Sequence, residues 1–201
     1  MREVVPAALW DKQVSLLMRD HPYDAVMVAD VLGQGYAYLL TAMRLRGESL
    51  GLAPSTLVDI GVHTTLREHL EQRAIELGLR DRVQFEPFVP RSELWRRLPD
   101  YDAFVFTTSG LEAFGLVLIE AQAHGLRVAY SDLPGVKETL ASAGVSYTPG
   151  DPRSLAMALD EMGRDSHRRT ALYRAALNNA RRYDIATTAR QLRELTLCLT
   201  S

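Results

Sequence analysis

The chain has 201 residues, 47% hydrophobic and 24% charged, with a formal net charge of −2. That length suits one domain of ordinary size, and that composition supplies a buried core, which sets aside disordered and low-complexity classes. The near-neutral balance gives no general electrostatic reason to bind nucleic acid.

The single cysteine, Cys198, excludes an intrachain disulfide and makes a reducing, cytoplasmic setting the expectation. Val4–Trp10 is short and runs directly into Asp11, unlike a secretory leader. The longest notable uncharged run, Val31–Met43, falls short of the roughly 20 apolar residues that a membrane-spanning helix needs.

In chain order, Trp10–Asp20 reads as a short amphipathic helix ended by Pro22. Tyr23–Asp30 reads as a first strand, nearly continuous in apolar character as buried parallel strands are. A Gly33-Gln34-Gly35 turn leads to a helix over Tyr36–Arg46. Thr56–Ile60 is the second strand, Leu66–Leu79 a helix with Gly78 near its end, and Val83–Phe85 the third strand. Ser92 is placed to cap a helix over Glu93–Leu98. Tyr101–Thr107 is the fourth strand, Leu126–Ser131 the fifth and Val145–Tyr147 the sixth, with a helix over Val136–Ser142 between the last two. Three helices close the chain: from Asp151-Pro152 to about Met162, near Arg168–Arg181, and over Ile185–Leu199.

Strands alternating with helices define an α/β fold with a doubly wound, mostly parallel sheet of the Rossmann-like type. Residues 23–165 form the expected domain, after an N-terminal segment 1–22. Residues 166–201 supply C-terminal helices that pack on it or on a further domain.

The chemistry concentrates in residues 109–125, where the fourth strand runs into a polar turn, Gly115 and an apolar helix. Ligands of open α/β sheets bind at the carboxyl ends of strands, and free amides at a helix N-terminus favour an anion. Phe114, Gly115, Leu116 and Val117 therefore form a candidate phosphate seat, with Gly115 allowing close backbone approach. Glu112 precedes the helix, and Glu120 lies on the same face as Leu116. A carboxylate on an apolar helix needs hydrogen-bond partners. The residues alone leave two readings open. Glu120 accepts from ligand hydroxyls such as those of a ribose, or it pairs with a nearby arginine or backbone N–H while Glu112 merely favours the helix N-terminus.

The run Ser109-x-x-Glu112-x-Phe-Gly-Leu-Val-Leu-Ile-Glu120-Ala-x-Ala-x-Gly125 resembles the signature of retaining GT-B glycosyltransferases, the large group that includes sucrose and glycogen synthases. Arg127–Ser131, Pro134–Glu138 and Pro149–Asp151 continue the resemblance, which covers roughly residues 22–184. It implies the C-terminal, donor-binding half of a GT-B fold and transfer of a sugar from a nucleoside diphosphate sugar with retained configuration. Glu112 would then contact the donor sugar as the candidate catalytic group, and Glu120 the ribose. Ser109, Ala113, Phe114, Gly115, Leu116 and Val117 would line the donor site. Phe88 and Val89, in the loop Glu86–Pro90, would hold the nucleobase through main-chain groups, with Pro87 where the family usually has glycine. No cofactor or metal is implied, since the departing diphosphate is stabilised by the protein itself.

One departure weighs against ordinary activity. The family carries an arginine and a Lys-Gly facing the diphosphate, and Asp30 and Gln34 occupy those positions, with no Arg or Lys between Asp20 and Met43. Loss of both cations would cost several orders of magnitude in rate, extrapolating roughly from single-donor effects.

The five histidines lack a second ligand at metal spacing, which makes metal binding an unfavoured reading. From Arg164 onward eight arginines face Asp165, Asp184 and Glu194. A solvated helix face explains them first, peripheral contact with anionic lipid at the inner membrane face second, and docking to a partner domain third.

GT-B enzymes use two Rossmann-like domains, and this length holds one. The chain is thus expected to be an excised donor domain, half of a split enzyme completed by an acceptor-binding chain, or a degenerate binding or scaffold protein. An unrelated alternative is a nucleotide-dependent epimerase or a dehydrogenase-like module, the latter disfavoured by the lack of Gly-x-Gly-x-x-Gly after the first strand.

Overall fold

The computed structural model describes residues 25–29, 42–43, 57–61, 64–86, 89–110 and 112–199. The strands are β1 (Ala25–Ala29), β2 (Leu57–Gly61), β3 (Val83–Glu86), β4 (Ala103–Phe106), β5 (Arg127–Ser131) and β6 (Val145–Tyr147). They form one sheet in the order β3-β2-β1-β4-β5-β6, and every neighbouring pair is parallel. The helices are α1 (Thr64–Glu76), α2 (Arg91–Arg97), α3 (Leu116–Ala123), α4 (Pro134–Leu140), α5 (Pro152–Gly163), α6 (Ser166–Arg182) and α7 (Ile185–Leu199). The expected helix over Trp10–Asp20 lies outside the described residues, and of the one over Tyr36–Arg46 only Ala42 and Met43 are described, as helix.

The sheet has a hydrophobic cluster on each face because side chains alternate along a strand. In β4, Ala103 and Val105 join Leu70, Leu155, Leu159 and Met162. Phe104 and Phe106 join Leu118, Ile119, Leu126, Val136 and Leu140 on the other face. Each fully buried Leu or Phe contributes on the order of 1.5–3 kcal/mol. That is why β4, apolar at every position, lies at the centre. Helix α6 joins the two clusters, with Leu172 in the first and Ala180 in the second.

Helix ends refine the sequence reading. Pro90 carbonyl accepts from Glu93 N (2.9 Å) and Leu94 N (3.0 Å), so α2 starts at Arg91 and Ser92 sits inside it rather than capping it. Asp151 caps α5 through Arg153 N at 2.9 Å. Asp165 caps α6 through Arg168 N at 2.7 Å, which moves its start two residues ahead of the expected Arg168. After α1, Gly78 has φ +69, the left-handed conformation that commonly ends helices.

Candidate functional site

The strand order reverses between β1 and β4, whose carboxyl ends pair Ala29 with Phe106. A crevice outside this point is where open α/β sheets bind ligands. The chain that leaves β4 there is pinned from the side. Tyr147 Oη donates to Phe106 carbonyl at 2.7 Å, and Ser131 Oγ donates to Thr108 carbonyl at 2.5 Å. Two later strands thereby fix the chain as it leaves β4. The Thr108 hydroxyl, with the residue 2% exposed, has no hydrogen-bond partner among the described residues.

Gly115 ends the following loop at φ +73, ψ 55, as the residue before α3. A side chain there would carry left-handed strain of roughly 1–2 kcal/mol, and its Cβ would lie 2.6 Å from Leu118 Cδ1. The tight turn brings Glu112 back over its own backbone. Its Oε1 accepts from Phe114 N at 3.1 Å and Gly115 N at 2.9 Å. The carboxylate thus occupies two of the four amides proposed as an anion seat. The other two, of Leu116 and Val117, open α3 and precede its internal hydrogen-bond ladder. Ser109, Ala113, Phe114 and Leu116 are exposed, Glu112 and Val117 half-buried, and Gly115 buried. Phe114 meets the Tyr183 ring edge-on at 5.3 Å and 88°.

Glu120, one turn into α3, pairs with Arg91 at the start of α2; the Glu120 side chain is 18% exposed and that of Arg91 64%. Arg91 also lies over the Trp95 ring, 4.8 Å from its centroid. The ion pair joins the first turn of α2 to α3 and places the Glu120 carboxylate on the side of the loop that leaves β3. In that loop, Val89 is half-buried and Phe88 lies outside the described residues, as do Asp30 and Gln34. The loop's entry is anchored by Arg97, whose Nη1 donates to Glu86 at 3.0 Å and whose Nε donates to Glu93 at 2.9 Å. The bonds to Glu93 and then Glu86 raise the Arg97 pKa, and the bond from Arg97 leads the lowering of Glu93's.

Behind the motif helix is a polar network that sequence reasoning missed. Gln122, fully buried, donates through Nε2 to Ala143 carbonyl at 2.6 Å and accepts from Asn179 Nδ2 at 2.8 Å. Asn179 also donates to Thr139 carbonyl at 3.1 Å. These bonds lock α3 to α4 and α6, satisfying groups that would be costly to leave unpaired. His124 Nδ1 is 2.7 Å from Glu120 carbonyl, and burial lowers its pKa below 6.5. Among the described residues no group of three or more His, Cys, Asp or Glu is arranged to hold a metal. No helix among them is long and apolar enough to cross a membrane.

The fold and this strand order define a Rossmann-type class of domain. Residues 11–179 match the sequence model of the family described as Glycosyl transferases group 1, and the chain belongs to that family. It is 36% identical over 150 residues to the D-inositol 3-phosphate glycosyltransferase of Thermobispora bispora, a match covering 72% of this chain and 31% of the relative. The same-named enzyme of Corynebacterium urealyticum is 36% identical over 128 residues, covering 63% and 30%. The chain thus spans about a third of the length of these relatives.

Among solved structures, it resembles HepE of Anabaena in complex with UDP, with a TM-score of 0.76 and 21% identity, over 97% of this chain and 54% of that one. It also resembles the C-terminal domain of a group 1 glycosyltransferase from Francisella tularensis, with a TM-score of 0.68 and 19% identity, over 80% and 86%. The architecture is the C-terminal, Rossmann-like half of a GT-B fold.

Proposed function

We propose that this chain is the donor-binding half of a retaining, nucleotide-sugar-dependent glycosyltransferase. One observation carries the reading: Glu112 and Glu120 flank the N-terminus of α3 at the sheet's switch point, in a chain of this family. The Leu116 and Val117 amides would receive the diphosphate. Glu112 would meet the donor sugar, Glu120 the ribose hydroxyls, and the main chain around Phe88 and Val89 the base. Stabilisation of the departing diphosphate by these groups would need no metal. A uridine nucleotide is the first candidate, because the HepE structures hold UDP and UDP-glucose. The acceptor named in the inositol phosphate relatives does not transfer with the match, since most of their length lies outside it.

The acceptor would be bound by a second domain, in the same polypeptide or another. Helix α7 supports this, because Ile185 and Leu192 on it are 80% and 65% exposed. In this division, residues 23–165 and α6 make the donor domain, and α7 reaches the partner. The basic C-terminal helices leave a peripheral role at an anionic membrane face as a further part of the proposal.

Titration calorimetry with UDP, UDP-glucose and other nucleoside diphosphate sugars tests the reading. At least one should bind weakly, and Glu120→Ala should weaken it roughly 10- to 100-fold, as expected for lost hydrogen bonds to an ionised carboxylate. No binding of any at millimolar concentration would sink the donor reading. The second reading, a degenerate binding or scaffold protein, is favoured by Asp30 and Gln34 standing where the family has cations. Binding without sugar transfer, even beside an acceptor domain, would select it.

A further inference from the structure

Gly135 touches the Glu112 loop more closely than any side chain could. A Cβ built there would lie 2.3 Å from Ala113 carbonyl oxygen, 2.7 Å from Ala113 carbonyl carbon and 2.7 Å from Glu112 carbonyl oxygen. All three are backbone atoms, so no rotamer change relieves the contact. The first turn of α4 that carries Gly135 is itself fixed. Thr139 Oγ1 donates to Gly135 carbonyl at 3.0 Å, and Val136 is fully buried in the cluster that contains Leu118. The loop therefore has to be the part that moves. From another direction the Tyr183 ring meets Phe114, and Tyr183 Oη donates to Thr139 carbonyl at 3.0 Å, returning to the same helix.

We propose that Gly135 is a positioning residue for the donor site: its bare α-carbon is the seat on which the Glu112–Ala113 backbone rests, and the seat sets where the Glu112 carboxylate stands. The clamp between α4 and Tyr183 keeps that carboxylate on the Phe114 and Gly115 amides. Its consequence for sugar recognition rests on the function proposed above; the clamp itself does not.

The test compares Gly135→Ala with Gly144→Ala. Gly144 is a second crowded glycine, whose Cβ would lie 2.9 Å from Val128 carbonyl oxygen, away from the Glu112 loop. In the unliganded full chain, hydrogen exchange at the Phe114 and Gly115 amides should accelerate at least tenfold in Gly135→Ala. It should stay near wild type in Gly144→Ala at matched loss of melting temperature. Unchanged exchange in Gly135→Ala, or equal acceleration in both variants, would overturn the clamp. If Gly135→Ala gives no folded chain, Tyr183→Leu loosens the same loop from the other side without adding an atom against backbone. A several-fold acceleration there supports the clamp, and none overturns it. With ligand, Gly135→Ala should lose at least tenfold more affinity for UDP-glucose than for UDP, a split that a general loss of stability would not produce. A wild-type chain that binds neither probe refutes the donor reading, while the exchange experiment still decides the clamp.

Discussion

The loop carrying Glu112 and the helical turn carrying Glu120 solve the same problem in different ways. Each holds a carboxylate among apolar neighbours, and each finds it partners. Glu112 uses its own backbone, accepting from amides two and three residues ahead. Glu120 uses Arg91, a side chain 29 residues away on another helix. A local partner holds the group in one geometry fixed by the turn. A remote side chain, itself 64% exposed, holds it through a pair that the proposed nucleotide would have to displace. Glu112 thus braces its own turn at the place where the donor sugar is proposed to bind, and Glu120 is held by a pair that the proposed ribose contact would replace.

The sharpest way to break this contrast is Glu112→Ala. Removing the acceptor strands two amides at the N-terminus of α3, a cost of about 1–2 kcal/mol by analogy with lost N-caps. Melting should fall by roughly 2–8 °C for a domain of this size, and Glu112→Gln, which keeps an oxygen acceptor, should recover part of it. A melting temperature unchanged in Glu112→Ala would mean that the carboxylate does not brace the turn.

Arg91→Ala probes the other side of the contrast and should do less. The Arg91 side chain is 64% exposed, and such a pair contributes about 0–1 kcal/mol. Melting should hardly change. Affinity for UDP should rise, by at most about fivefold, because ribose hydroxyls would no longer compete with Arg91 for Glu120. Weaker UDP binding instead would show that the guanidinium itself touches the nucleotide, and Glu120 and Arg91 would then act as one unit.

This contrast also explains what was legible in the sequence. Local features were readable: the apolar runs of β4 and β5, the glycine before α3, and Glu112 as a group that favours a helix start. Both open readings of the carboxylates had a physical basis, and the structure shows the internal partners of each. Contacts between distant segments were not readable. Nothing in the spacing announces that Arg91 meets Glu120, that Gln122 bonds Asn179 57 residues later, or that Gly135 lies under Ala113. Two caps show the local limit. Ser92 is a good cap residue, but Pro90 carbonyl starts the ladder earlier. Asp165 is a good cap residue, and its bond to Arg168 N starts the helix two residues ahead of the expected Arg168.

The smallest effect concerns the backbone of Glu120 rather than its carboxylate. His124, half-buried at the end of α3, has its Nδ1 at 2.7 Å from Glu120 carbonyl, and burial holds its pKa below the ordinary 6.5. A depressed folded value means that the unfolded chain takes up the proton first as pH falls. The contribution to stability is therefore complete above 6.5 and is lost as pH drops from there through the lowered folded value. Thermal melts from pH 8 to pH 5 should show a decline that begins below neutrality, and His124→Gln should flatten that part of the curve. Carboxylate titrations at lower pH should remain in both proteins. An identical slope between pH 7 and pH 5.5 in the two would remove His124 as its source.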